Sequence, residues 1–317
     1  MPPIAILPDI WMNPRRGALI GVSASVVIFL KGMLMGMADI VPGVSGGTMA
    51  LITGIYERFI SALSSINFRF ITRRVKGDKE GARESWASID WALLVPLVIG
   101  ILTAMVIFAR VIDYLLDHHI GPTYAFFFGL ILASAGFVYR YVEHIDRRHL
   151  LSGLMGFLLV VDVVVVGWRE SITSNHSIPI LIVSGAIAVC AMILPGISGS
   201  TMLLILGQYP YFLTALIKGS WKDLIAFGAG AVVGILTFAR LLNWLLKNHR
   251  SMTMAFLFGC MLGALTQPAG EITNNTDFSI IIEVVVIVIA AVIGFVAIFV
   301  LEKRSDRIKE RLGIEMD

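Results

Sequence analysis

Hydrophobic residues run along this chain in long unbroken blocks, separated by short clusters of polar and charged residues. One series of blocks occupies residues 18–38, 48–63, 91–116, 123–139 and 150–168, and a second occupies 178–192, 201–217, 223–246, 253–265 and 278–301. A helix that crosses ~30 Å of hydrocarbon needs about 20 residues at 1.5 Å each. Several blocks reach that length. The block at 178–192 does not: it makes only about 22 Å of helix, and Pro179 trims its start. It is expected to enter the bilayer and turn back.

The turn is written twice. Ala-Asp-Ile-Val-Pro-Gly-Val-Ser-Gly-Gly-Thr at 38–48 interrupts the first series, and Leu-Pro-Gly-Ile-Ser-Gly-Ser-Thr at 194–201 interrupts the second. At an offset of 153 residues, Pro42 meets Pro195, Gly43 meets Gly196, Ser45 meets Ser198 and Gly46 meets Gly199. Thr48 with Thr201, Met49 with Met202, Gly54 with Gly207 and Tyr56 with Tyr209 complete eight identities in a 15-residue window. A second matched block lies at an offset of 130: Ala109-Arg110 with Ala239-Arg240, Leu115-Leu116 with Leu245-Leu246, Ala125-Phe126 with Ala255-Phe256, and Phe128-Gly129 with Phe258-Gly259. The change of 23 is an extra polar loop between Ile66 and Asp90. The chain is an internal duplication.

Composition adds the solvent. Of 317 residues, 57% are hydrophobic and 15% charged, with a mean hydropathy of +0.85. A soluble domain needs more polar surface than that, so the apolar excess faces lipid. The positions of the basic residues then set the orientation. With the N-terminus in the cytoplasm, 18 Lys and Arg fall inside (Arg15 and Arg16, six between Arg69 and Arg83, Arg140, Arg147, Arg148, Lys247, Arg250, and five between Lys303 and Arg311). Only Arg169, Lys218 and Lys222 fall outside. Three crossings separate the two turns, so one dips in from each face.

The expected fold is an all-α integral membrane protein with an inverted-topology repeat, each copy a Pro-Gly re-entrant helical hairpin followed by three transmembrane helices. Residues 1–17 are expected to form the cytoplasmic N-terminal flank to the first membrane segment rather than a cleavable secretory signal. Repeat 1 is 18–168, with hairpin 18–64, cytoplasmic loop 66–90 and helices 91–116, 123–139 and 150–168. Repeat 2 is 178–301, with hairpin 178–217 and helices 223–246, 253–265 and 278–301. A cytoplasmic tail covers 302–317.

Several chemistries are disfavoured by placement. The basic residues lie in short loops rather than on one folded face, which argues against nucleic acid. Cys190 and Cys260 stand in apolar segments as packing residues, without metal-ligand spacing. The six histidines fall in loops or at helix ends, so no metal site and no cofactor is expected.

The two tips are the strongest candidates for binding. Pro and Gly end one helix, and Ser or Thr caps the next. Irregular backbone at membrane depth needs protein or a polar cavity around it. A helix start offers free N–H groups to an anion, and two such starts from opposite faces would converge on one anionic group. The plain alternative is close packing of small residues, which does not require the same Pro-Gly-x-Ser-Gly pattern twice. Arg110 and Arg240 hold equivalent places near helix ends, where each either meets an anion or snorkels to headgroups; Asp113 would also pair locally with Arg110. Asp39 and Glu57 have the uncharged counterparts Met192 and Pro210, which makes them candidates for a coupling proton or ion. Asp162, alone in a run of valines, costs ~2.5–3.5 kcal/mol to insert unpaired. It is expected to face the bundle interior, as a proton carrier or as a partner for Lys31 or an arginine.

Segments 39–48 and 194–201, with the arginine-bearing helices after each, resemble the polyprenyl-phosphate transporter family, PopT, over nearly the whole chain. The resemblance implies a carrier in the cytoplasmic membrane of a bacterium or archaeon, with both termini cytoplasmic. It would return undecaprenyl phosphate from the outer to the cytoplasmic leaflet for peptidoglycan and other envelope glycans, coupled to a proton or sodium gradient. The phosphate would lie against Ser45, Gly46, Gly47, Thr48, Ser198, Gly199, Ser200 and Thr201, with the isoprenoid tail left in lipid and a homo-oligomer compatible with all of this. Membrane undecaprenyl-diphosphate phosphatases resemble the same plan, but carry arginine after the tip serine and a Glu-x-x-x-Glu pair. Here Gly46 and Gly199 follow the serines, and no membrane segment holds that pair, so no catalytic residue is expected. Transport of a small anion remains compatible with the tips alone.

Overall fold

The computed structural model describes residues 14–40, 45–66, 69–142, 146–167 and 175–311, and all its regular elements are helices. Lipid supplies no water to a free amide, so apolar blocks satisfy their backbone as helix. The first half comprises α1 (Pro14–Ile40), α2 (Gly46–Ile52), α3 (Tyr56–Ser65), α4 (Arg69–Val75), α5 (Lys79–Ala87), α6 (Trp91–His118), α7 (Ile120–Tyr139) and α8 (Arg147–Gly167). The second comprises α9 (Ile178–Ile193), α10 (Gly199–Ile205), α11 (Tyr209–Lys218), α12 (Trp221–Asn248), α13 (Arg250–Ala264), α14 (Thr266–Asn274) and α15 (Ile281–Arg311). Among the described residues, six stretches are long and apolar enough to cross a membrane: Trp91–Phe108, Ile120–Tyr139, Arg147–Val165, Trp221–Asn248, Arg250–Asn274 and Ile281–Val300. The 16 residues of α9 span about 24 Å.

Several boundaries differ from the sequence expectation. The polar segment 66–90 is not a plain loop: it folds into α4 and α5, which pack on each other. Asp78 caps α5 by accepting the Gly81 N–H at 2.9 Å, and Arg73 donates to the Gly81 carbonyl at 3.0 Å. The return arm of each turn is two helices rather than one, broken at Gly54 and Gly207, both with a left-handed φ of 68° that favours glycine. Between α13 and α15, where no helix was expected, lies a short separate helix, α14. Helix α15 runs through much of the expected tail. Residues 1–13 of the flank, Pro42 and Gly43 of the first tip, Trp168, Arg169 and residues 312–317 lie outside the described residues, as does the side chain of Asp113.

The long helices pack in four pairs, α1 with α6, α9 with α12, α7 with α15, and α8 with α13. Each crossing is closed by glycine on both helices. A Cβ on Gly32 would strike the Leu97 carbonyl, and one on Gly100 the Phe29 carbonyl. Shifted by 153 and 130 residues, the same contacts recur as Gly185 on Phe227 and Gly230 on Ile182. In the other two pairs Gly129 meets Ala291 and Gly294 meets Phe126, while Gly259 meets Gly153 and Gly156 meets Phe256. Lipid gives two helices no hydrophobic reason to associate, so close backbone contact through small residues holds them. Two of the pairs, α7 with α15 and α8 with α13, join the halves to each other.

Polar ties fasten the short helices at the ends of this frame. Arg58 on α3 grips Asp90, the N-cap of α6, with contacts of 2.7 and 3.1 Å. The Arg58 hydrogen bond holds the Asp90 carboxyl below its usual range. A depressed folded value contributes stability above the unfolded pKa of about 4, and that contribution is lost as pH falls through the folded value. Arg58→Gln is therefore expected to lower the unfolding midpoint at pH 7 by the equivalent of about 0.5 kcal/mol, since the pair is well exposed. The gap to the native protein should close toward pH 3 in a thermal melt.

Candidate functional site

The two turns, between α1 and α2 and between α9 and α10, meet inside the protein. Ser45 caps α2 with an extended backbone and accepts the Gly47 N–H at 3.1 Å. Its hydroxyl faces two carbonyls of the other turn, Met192 and Leu194, each at 3.3 Å. Tyr56 donates to the Ile193 carbonyl at 3.1 Å, and the Gly196 N–H donates to Thr48 Oγ1 at 3.1 Å. A helix leaves its last carbonyls without intrahelical partners. Here the first half of the chain supplies partners for those at the end of α9. Ser45, Thr48 and Tyr56 are each no more than 1% exposed. Gly47 fits beneath the same carbonyls, since a Cβ there would stand 2.7 Å from the Ile193 oxygen.

The Gly46 amide of the first tip is also engaged. Asp39, near the end of α1, accepts the Gly46 N–H through Oδ1 at 2.7 Å. An anion approaching Gly46 must therefore displace a carboxylate the chain already provides. At the equivalent place in the second turn stands Met192, whose side chain lies against Gly199. Ser198 caps α10 in backbone geometry but makes no side-chain cap bond; its hydroxyl shares a 2.7 Å hydrogen bond with Ser200 instead. Ser198 is buried, while Ser200 and Thr201 are half-buried. The two tips are alike in sequence and unlike in bonding.

Other singled-out residues lie apart from the tips. Arg240 is exposed on α12 and donates to the carbonyl of Ile66, the C-cap of α3, at 2.8 Å. Arg110 is exposed on α6. Glu57 pairs with Arg250 at the start of α13, at 3.0 Å and with both side chains exposed. Lys31 donates to the carbonyl of Thr53, the C-cap of α2, at 2.6 Å, a favourable place for a cation. Asp162 does not face the interior. Gly156, Val160 and Val164 form the buried face of α8, and Asp162 sits about 200° around the helix from Val160; it is exposed.

Sequence reasoning missed the cross-turn roles of Tyr56 and Thr48. Both belong to matched pairs at the 153 offset, but a match cannot say that one partner bonds across the duplication. Nor does a one-letter pattern show that Asp39 folds back on Gly46.

Apolar helices closed by glycine around two touching turns define a multi-pass helical membrane protein. The chain belongs to the undecaprenyl phosphate translocase-like family (VCA0040-like), whose model matches residues 35–278. It is 39% identical over 237 residues to a polyprenyl-phosphate transporter of Vibrio cholerae serotype O1, covering 75% of each chain. It is 31% identical over 251 residues to a polyprenyl-phosphate transporter of Staphylococcus aureus, covering 74% of this chain and 83% of that relative. No solved structure shows a significant match.

Proposed function

We propose that this protein carries undecaprenyl phosphate from the outer to the cytoplasmic leaflet, so that the lipid re-enters envelope glycan synthesis. The observation that carries the reading is the buried meeting of two Pro-Gly-x-Ser-Gly turns. The names of the two relatives support the substrate class. The two halves are taken as inverted repeats with re-entrant tips, termini in the cytoplasm, as the 18-to-3 distribution of Lys and Arg favours.

The phosphate is assigned to the turns, with Ser198 and Ser200 as the side chains that change partners most readily. Their present hydrogen bond is to each other, whereas Ser45 and Thr48 are held across the junction. Gly46, Gly47, Gly199 and Thr201 complete the proposed cradle. Asp39 is the proposed coupling carboxylate among the three candidates: headgroup and carboxylate compete for the Gly46 amide, so neutralising Asp39 with a proton or sodium ion eases entry. The isoprenoid tail stays in lipid throughout, so only the charged headgroup needs protein.

Purified protein in liposomes containing undecaprenyl phosphate tests this. Leaflet movement is followed with and without a pH or sodium gradient, alongside phosphate release from the diphosphate form. Movement without release is expected. Release would overturn the carrier reading in favour of a phosphatase. Ser198→Ala/Ser200→Ala should slow movement at least about tenfold, the loss expected for one or two hydrogen bonds to a charged group, with the melting temperature little changed.

A further inference from the structure

The duplication predicts for a contact in one half an equivalent in the other; the packing of α3 on α12 lacks its counterpart, as do smaller contacts of the tip helices α2 and α10. Residues 56–65 of α3 become 209–218 of α11 when shifted by 153, and 221–248 of α12 become 91–118 of α6 when shifted back by 130. Helix α3 packs along α12. Among the described residues, α11 does not pack in this way along α6. The α3–α12 contact ends in the Arg240 hydrogen bond to the Ile66 carbonyl. Its equivalent would join Arg110 to the carbonyl of Gly219, which is the C-cap of α11 just as Ile66 is the C-cap of α3. No such bond joins Arg110 and Gly219 here, and Arg110 is exposed.

We infer that the protein has a second state with these contacts exchanged: α11 docks on α6 with Arg110 bonded to Gly219, and α3 leaves α12 with the Arg240 bond broken. The inference rests on the carrier reading, which requires access from two faces. Two halves with matched sequences support two arrangements of similar energy, each the other with the roles of the halves interchanged. Arg240 and Arg110 are then positioning residues, one latch for each state, and need not touch the phosphate. With both termini cytoplasmic, the present state is shut on the cytoplasmic side by α3.

The exchange is not perfectly balanced, and the sequence says which way it leans. Glu57 on α3 pairs with Arg250 on α13 in the present state. Their equivalents are Pro210 and Ile120, which cannot form an ion pair. The α3-docked state therefore has one exposed ion pair that the other state lacks, a bias of roughly two- to fivefold. That agrees with its being the state described.

Paired spin labels in the full chain test the exchange. Ser65→Cys/Leu241→Cys reports the α3–α12 distance, and Lys218→Cys/Val111→Cys reports its equivalent between α11 and α6. Both are read in nanodiscs on a Cys190→Ala background, Cys260 being fully buried. Two populations are expected for each pair. Arg240→Gln should lengthen the first distance and shorten the second, raising the ratio of α11-docked to α3-docked protein ~tenfold, the loss of one charge-assisted hydrogen bond. Arg110→Gln, which leaves the α3–α12 contact and the Arg240 hydrogen bond untouched, should do the reverse. A role confined to stability would not move the two distances in opposite directions. Single distances that neither variant shifts, or shifts of the same sign in both pairs, would overturn the exchange. If the lipid still moves in liposomes under either outcome, the carrier reading survives and only the latches fall.

Discussion

Gly230→Leu is expected to leave almost no folded protein, whereas Gly228→Leu, two residues away on the same helix, should be tolerated. A Cβ on Gly230 would fall on the Ile182 carbonyl of α9, while one on Gly228 meets nothing within 4 Å. Backbone cannot swing aside as a side chain can, so the helices must separate. Overpacking of this kind costs about 3 kcal/mol or more, a large share of a marginal stability. The same reasoning applies to Gly259 against Gly153 and to Gly129 against Ala291. The readout is the yield and melting temperature of detergent-solubilised protein. A Gly230→Leu variant that melts with the native protein would show that the crossings tolerate wider spacing.

The second large effect concerns the junction of the turns. Thr48→Val keeps the shape of the side chain but removes the acceptor for the Gly196 N–H, and Tyr56→Phe removes the donor to the Ile193 carbonyl. Both sites are fully buried, so the abandoned groups find no water. Each variant is expected to lose about 1–2 kcal/mol, seen as a lower melting temperature. The two substitutions act on one junction, so a double variant should lose less than the sum of the singles. Strict additivity in the melts would mean that the turns respond independently.

Much of the frame was legible because lipid imposes a simple rule: a spanning segment must be apolar and helical. The long blocks became helices, and the stretches long and apolar enough to cross follow blocks read from the sequence, except that Arg250–Asn274 runs nine residues past the block at 253–265. The segment at 66–90 was misread for the opposite reason. Its charges mark it as outside the bilayer, but the Asp78 cap and the Arg73 bonds that make it helical are local polar contacts without a hydrophobic period. Asp162 was misplaced because a run of valines on both sides hides which face of α8 is buried; only the packing against α13 decides it. At the tips, identical residue types gave no hint that Ser45 and Thr48 would serve the junction while Ser198 turns to Ser200. That difference arises between the halves, and a sequence laid against itself shows only what they share.

The partnering of α7 with α15 and of α8 with α13 has a consequence for how the chain is made. When translation has delivered α8, two of its inserted helices still lack the surfaces they are built to meet, and α7 waits for the last helix of all. The early half must therefore persist in the membrane with its glycine faces against lipid until the late half arrives and threads into place. A nascent chain halted near residue 167 would be inserted yet unassembled, and separately expressed halves should gain order only when they share a bilayer.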